Sequence, residues 1–216
     1  IMRSVKQITR ESCLDLILNI HYAKRIPSIS FAYGLYHNST LEGIVTYGTP
    51  ASPSLRVGIA GERYKGNILE LNRLVLINNY HNDASYLVSK SLKLLQGPHI
   101  IISFADLGQN HGGIVYQASN FTYHGLSAKR TDWAVKGREH LHGQTISDEF
   151  RGQTNRSKLM RDKYGDDFYL KPRTRKHRYI RVIGSKGFKA KVAKCIKYEY
   201  QNYPKKLTNQ TNGELS

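Results

Sequence analysis

The stretch that most constrains the fold is HIIISFAD, His99–Asp106. It is a near-continuous apolar run, set off by Gly97–Pro98 before it and the polar turn LGQNHGG after it. Runs of this length and composition are strands buried on both faces, here read as part of a mostly parallel arrangement. A strand covered on both sides needs a layer on each side, which points to an α/β (α+β) chain with a mixed, twisted sheet flanked by helices. The run ends on Asp106, then a glycine-punctuated turn carrying His111, then a short helix from Gly112 that bears Tyr116. Open α/β sheets present their chemistry at such strand ends.

The flanking pattern fits. SISFAYGLY (Ser28–Tyr36) and LEGIVTYGT (Leu41–Thr49) read as a hairpin joined by the four-residue turn HNST. Glu11–Arg25 places Cys13, Leu14, Ile17, Leu18 and Ile20 near helical spacing, and Pro27 blocks further helix. TPASPSLRVGIAGERYKGN, rich in Gly, Pro and Ser, reads as an irregular loop. Asn67–Asn78 reads as a strand in which Arg73 stands out among buried leucines and calls for an acid or anion. Asn82 or Asp83 caps a helix over Ala84–Leu95, which Gly97 and Pro98 end. Thr131–Tyr164, polar and charged, is expected to wrap over the core.

Charge narrows the partners. The 216 residues carry 33 Lys+Arg against 16 Asp+Glu, a formal net charge of +17. Thirteen of those cations fall in Lys171–Lys206 against the single acid Glu199. Nucleic acid is the expected partner of so concentrated a charge, with a solvated basic surface as the bland alternative. HRYIRVIG alternates like a strand, and KAKVAKCIKYEY has helical spacing with Val192, Ile196 and Tyr200 on one side. Arg173, Arg175, Lys176, Arg178, Arg181, Lys189, Lys191 and Lys194 are the candidate phosphate contacts, and interleaved tyrosines suit base stacking. The expected organisation is a catalytic domain over 1–170, a basic extension over 171–206 packed on the same domain, and a disordered tail over 207–216. Two cysteines, Cys13 and Cys195, far apart and in no metal-ligand spacing, argue against a disulfide framework or zinc knuckle, and no apolar run approaches membrane-spanning length.

The order strand, strand, strand, helix, strand, helix from Ser28 to Phe121 resembles the GNAT acyltransferase superfamily. IVYQASNF resembles that superfamily's tyrosine followed by Gly-Phe, with Asn120 in place of the glycine. The resemblance implies that Tyr116 protonates a thiolate leaving group; a core tyrosine on a short helix is the plain alternative. It also implies an acetyl-CoA or related acyl-CoA held by Leu74 and Val75 of the strand and by Asn82, Asp83, Ala84 and Ser85 at the helix start. The superfamily's glycine-rich pyrophosphate turn is replaced by NNYHNDA.

A closer resemblance runs from Ile20 to about Pro204. HYAKRIPS, YGTPASPSL, ELNRL, ASYLVSKSLKLL, SFAD, HGGIVYQASNFTYHG and KPRTRKHRYI, in that order, are similar to the Mom family of bacteriophage DNA-modification proteins. That family converts the exocyclic amine of adenine in phage DNA to a methylcarbamoyl derivative that blocks host restriction enzymes. The resemblance implies a site of Arg73, Ser85, Asp106 and Tyr116, joined by His21 and Tyr22. It further implies double-stranded DNA as partner, the cytoplasm of the infected host as location and no membrane, with homodimerisation open. His21, Tyr22 and Asp106 form a candidate iron-ligand set, against the plainer reading of His21 as the end of the first helix. Two rival readings stay open: a GNAT-type N-acyltransferase acting on RNA or a basic protein, and a non-catalytic DNA-binding protein on a GNAT-like core.

Overall fold

The computed structural model describes residues 2–21, 24–109, 112–141 and 143–204. His111, Tyr22 and the expected disordered tail at 207–216 lie outside them. In chain order the first elements are β1 (Arg3–Gln7), α1 (Glu11–Asp15) with a π-helical turn over Leu16–Ile20, β2 (Phe31–His37), β3 (Thr40–Gly48) and α2 (Pro53–Ala60). Then come β4 (Ile68–Leu76), α3 (Asp83–Leu94), β5 (His99–Asp106), α4 (Ile114–Ala118) and β6 (Thr122–Leu126). The last are β7 (Arg130–Val135), α5 (Gly143–Asp148), α6 (Arg156–Tyr164), β8 (Phe168–Arg173), β9 (Lys176–Ile183) and α7 (Lys186–Ala193).

The chain divides into two compact units, one of residues 1–126 with 177–216 and one of 127–176. The expected boundary at 170 therefore does not coincide with the division of contacts. The first unit holds a seven-stranded sheet in the order β1-β2-β3-β4-β5-β9-β6. β4 and β5 run parallel, whereas β1 to β4 pair antiparallel in succession and β6 pairs antiparallel with β9. The sheet is mixed, as expected, but largely antiparallel rather than mostly parallel.

The apolar continuity of β5 has another cause. Ile101 and Ala105 pack with Leu87, Val88 and Leu92 of α3, while Ile100 and Ile102 pack with Ile59 and Ala60 of α2 and Val192 of α7. Both faces are covered by helices, so both alternating sets of side chains must be apolar; each fully buried Ile or Leu contributes roughly 1.5–3 kcal/mol. A third cluster closes the opposite end of the sheet, where Cys13, Leu16 and Ile17 pack on Ala32, Ile44 and Val75. Burial, with the charge of Glu11 added, pushes the Cys13 thiol up to about 11, so it stays an inert core group.

Several local expectations are corrected. The first helix ends at Ile20, not Arg25, and His21 leaves it in extended conformation (φ −68°, ψ 132°). The hairpin turn is shorter than HNST, because Thr40 already pairs with His37. The stretch read as a loop contains α2, started by Ser52, whose hydroxyl accepts the Leu55 amide at 3.3 Å, with Pro53 in the first turn. Thr131–Tyr164 does not simply wrap: the second unit pairs β7 with β8 and has its own core of Val135, Ile146, Met160 and Phe168. β9 is an interior strand between β5 and β6, with Tyr179 and Ile180 buried.

Candidate active site at the parted ends of β4 and β5

The two parallel strands pair over only three positions, Ile68 with Ile100, Leu69 with Ile101 and Glu70 with Ile102. Both continue further, β4 to Leu76 and β5 to Asp106. Ser103, the one hydroxyl in the apolar run and fully buried, donates from Oγ to the Leu71 carbonyl at 3.1 Å, just past the last paired residue. A side-chain hydrogen bond thus takes the place of the next rung. β4 keeps its partner on the other side: β3 pairs with it from Glu70 to Leu76, with Asn72 bulged out between Leu71 and Arg73. Beyond the parting point Arg73, Leu74 and Asp106 therefore stand at the diverging ends of neighbouring strands.

The bulge aims Arg73 toward the end of the first helix. Its Nη1 donates to the Asn72 carbonyl at 2.6 Å and its Nη2 to the Arg25 carbonyl at 2.7 Å. Burial first, and then the positive charge of Arg73, push His21 down to about 4. His21 is thus a neutral imidazole at physiological pH. The π-helical turn, closed by the His21 amide on the Leu16 carbonyl at 3.1 Å, sets the point at which this residue leaves the helix.

On the opposite face, α3 and α4 approach each other through Ser89 and Ser119, whose hydroxyls lie 3.3 Å apart. Tyr116 of α4 packs on Phe121 (5.5 Å between centroids) and on Tyr179 of β9 (5.3 Å). Tyr179 also donates to the Gly112 carbonyl at 2.5 Å and accepts from Gln117 Nε2 at 3.1 Å. Gly113 shows why the turn is glycine-rich. It has φ +72°, and a Cβ there would stand 2.3 Å from the Tyr179 ring. Burial raises the Tyr179 hydroxyl above the usual tyrosine range and does the same, more strongly, to Tyr47, which shares a 2.7 Å hydrogen bond with Ser91. Tyr116 is close enough to Tyr47 to add to that rise.

The remaining expected residues are distributed as follows. Asp106 Oδ1 accepts the Gly108 amide at 2.9 Å, an Asx turn that ends β5. Ser85 sits in the first turn of α3 and donates to the Asn82 carbonyl at 3.1 Å. Leu74 packs against the cluster that includes Leu87 and Val88 of α3, whereas Val75 belongs to the cluster with Cys13, Leu16 and Ile17. Asn79 and Asn82, at φ +45° and +65°, supply the left-handed backbone that a glycine-rich turn would. The carboxylate of Asp83 is consumed inside the fold: it is 1% exposed, 3.2 Å from Arg3 Nη1 and 2.8 Å from His37 Nε2. This neutralises a charge that would otherwise repel an anion at the helix start. Tyr22 lies outside the described residues, and among those described no group of three His, Cys, Asp or Glu stands together as a metal site.

The candidate phosphate contacts separate into two kinds. Arg178 is half-buried, stacks at 3.7 Å over the Tyr198 ring and donates to the His124 carbonyl at 3.0 Å. Arg181 donates to the Asn120 carbonyl at 2.8 Å, Arg175 to the Ser127 carbonyl at 2.7 Å, and Arg173 forks onto Asp132. Lys176 donates its amide to Ser127 Oγ. Lys189, Lys191 and Lys194 stand exposed on and after α7. Sequence reasoning did not single out Ser103, Tyr179 or Gln117; for Ser103 the signal was present, a lone hydroxyl in an apolar strand.

A sequence model of the Mom protein family matches residues 3–205. The chain belongs to the Mom protein family. A relative named methylcarbamoylase mom, from Escherichia phage Mu, is 29% identical over 196 residues, covering 88% of this chain and 78% of the relative. Among solved structures, a putative acetyltransferase of Acinetobacter baylyi is 10% identical, covering 86% of this chain and 94% of that one at a TM-score of 0.47. A putative acetyltransferase of Salmonella typhimurium, solved with acetyl-CoA, is 8% identical over 86% of this chain and 96% of that one, also at 0.47. The Mom match takes in every element of the parted-strand site, from His21 to Tyr179. No helix among the described residues is long and apolar enough to cross a membrane.

Proposed function

We propose that this Mom-family chain is a transferase that modifies the exocyclic amine of adenine in DNA to a methylcarbamoyl derivative. The observation that carries the reading is the family match over residues 3–205, which spans the whole of the site between β4 and β5. The chemistry is consistent with it. An adenine amine is a poor nucleophile because its lone pair is delocalised into the ring, so it needs a group to accept its proton as the new bond forms. Asp106, at the end of β5, or the neutral His21 can hold that proton. Tyr116, held in place by Tyr179 and Phe121, is the donor to the departing group.

The donor class that the residues fit is an acyl-CoA, which when bound would supply an activated carbonyl and a thiolate leaving group; acyl transfer alone gives an N-acyl adenine, so the carbamoyl nitrogen has to come from a second, nitrogen-bearing donor. The stretch of β4 that no longer pairs with β5 after Glu70, the left-handed Asn79 and Asn82 and the amides at the start of α3 would hold the acyl-CoA. Iron has no support among the described residues, and no step is assigned to it. DNA phosphates would meet the exposed Lys189, Lys191 and Lys194 before the arginines of β9, which are already engaged.

The test is expression of the full chain in bacteria followed by mass spectrometry of plasmid nucleosides. A mass increase confined to deoxyadenosine is expected, and Asp106→Asn and Tyr116→Phe each lower it by ~10² or more with DNA affinity retained. Modified tRNA nucleosides with unmodified DNA would replace this reading by that of an RNA acyltransferase.

A further inference from the structure

The segment after α7 carries features that neither core nor candidate site uses. Gln201 bridges antiparallel to Tyr123, its amide donating to the Tyr123 carbonyl at 2.9 Å, so residues near 200–203 run along the outer edge of β6. Tyr203 donates to the Phe121 carbonyl at 2.7 Å, and His124 Nδ1 lies 2.8 Å from the Tyr198 carbonyl. The backbone is thus anchored on both sides of Tyr200. Yet Tyr200 itself is 61% exposed, its ring meeting that of His124 edge-on at 6.3 Å. An aromatic ring turned outward from an anchored backbone is costly in water, and Lys194 and Lys197, also exposed, precede it.

Two further observations indicate the occupant. The run from His177 to Pro204 contains seven Lys/Arg against the single acid Glu199, so the matching ligand is a polyanion. And the anchor leads to the chemistry: Tyr203 holds the Phe121 carbonyl, and the Phe121 ring packs on Tyr116. We infer that Tyr200 is a stacking platform for an unpaired nucleobase of DNA, with Lys194 and Lys197 on the adjoining phosphates. The inference rests on the proposed action on adenine in DNA, since an amine engaged in pairing has to leave the stack before it can react. A platform on the edge strand would hold the displaced single-stranded stretch beside the site.

The experiment measures affinity, not activity. The purified full chain and its Tyr200→Ala and Tyr200→Phe variants are titrated by fluorescence anisotropy against a single-stranded deoxyoligonucleotide, the same sequence as a fully paired duplex, and as oligoribonucleotide. Tyr200→Ala is expected to weaken single-strand DNA binding roughly tenfold while leaving the duplex within twofold, and Tyr200→Phe to match the parent, because stacking needs the ring and not the hydroxyl. The paired substitution Lys194→Ala with Lys197→Ala is expected to weaken both forms and flatten the salt dependence by about two phosphate contacts. Equal binding by Tyr200→Ala and parent, an equal loss on duplex and single strand, or a loss confined to RNA would each overturn the inference. Selective loss in a chain that leaves deoxyadenosine unmodified would uphold the platform and overturn the proposed reaction instead.

Discussion

The two compact units are built on different terms. The unit of residues 1–126 with 177–216 buries apolar side chains on both faces of a seven-stranded sheet and can afford polar groups inside, such as Tyr47 with Ser91 and Asp83 between Arg3 and His37. The unit of residues 127–176 has a two-stranded sheet, one small cluster around Met160, and a surface network in which Glu149 gathers Arg138, Lys163 and Tyr164. Positive charge does not distinguish them: the first holds 20 Lys/Arg against nine Asp/Glu, the second 13 against seven. What differs is the depth of core available, and with it the capacity to hold strained or desolvated groups in place. The candidate site lies in the unit that has this capacity.

The sharpest way to break the comparison is Met160→Ala. Met160 is fully buried in the small cluster, and the cavity should cost about 3 kcal/mol. Hydrogen exchange should then accelerate across β7, α6 and β8 while β5 amides keep their protection; a uniform loss would mean that the two units unfold as one. Gly113→Ala should give the opposite pattern. A Cβ at 2.3 Å from the Tyr179 ring together with φ +72° costs about 2–3 kcal/mol, felt in β9 and α4 and not in β7 or β8.

Acid should separate the units more gently. His21 has its pKa lowered on folding, so its contribution is complete above the ordinary histidine value of 6.5 and is lost as pH falls toward about 4. Glu149 is also lowered, chiefly by its hydrogen bond from Lys163, so the contribution of its network is present above 4.5 and is lost only below that. Between pH 6 and 5 the first unit should therefore soften before the second, read by exchange in each. An NMR titration should place the His21 midpoint near 4, and Arg73→Gln should raise it; a midpoint near 6.5 would mean that His21 is solvated and does not feel the Arg73 charge. The smallest effect is expected from Glu149→Gln, under about 1 kcal/mol, since its partners are largely exposed and screened.

Much of the site was legible because its signals are local. β5 ends at Asp106 and α3 begins at Asp83, as apolar continuity, helical spacing and the Gly97–Pro98 stop require. Other local signals were present but outweighed. Ser52–Pro53 is a helix start, yet it stands in a stretch whose Gly, Pro and Ser content reads as loop. β1, RSVKQ, carries almost no apolar signal, because as an edge strand it draws its stability from pairing with β2 and not from burial.

Patterning alone determined that residues 176–183 form a strand, that 99–106 are covered on both faces, and that an acid, a glycine turn and a tyrosine follow one another at a strand end. Which strands become neighbours was decided only in the tertiary structure. A strand's periodicity records that one face is buried and not what buries it, so the basic segment could be read as an extension when it is the partner of β6 and the neighbour of β5. The same holds for the site. Arg73 beside His21, and Tyr179 under Gly113 and Tyr116, join residues 52 to 66 positions apart in the chain, and only closure of the sheet brings them together.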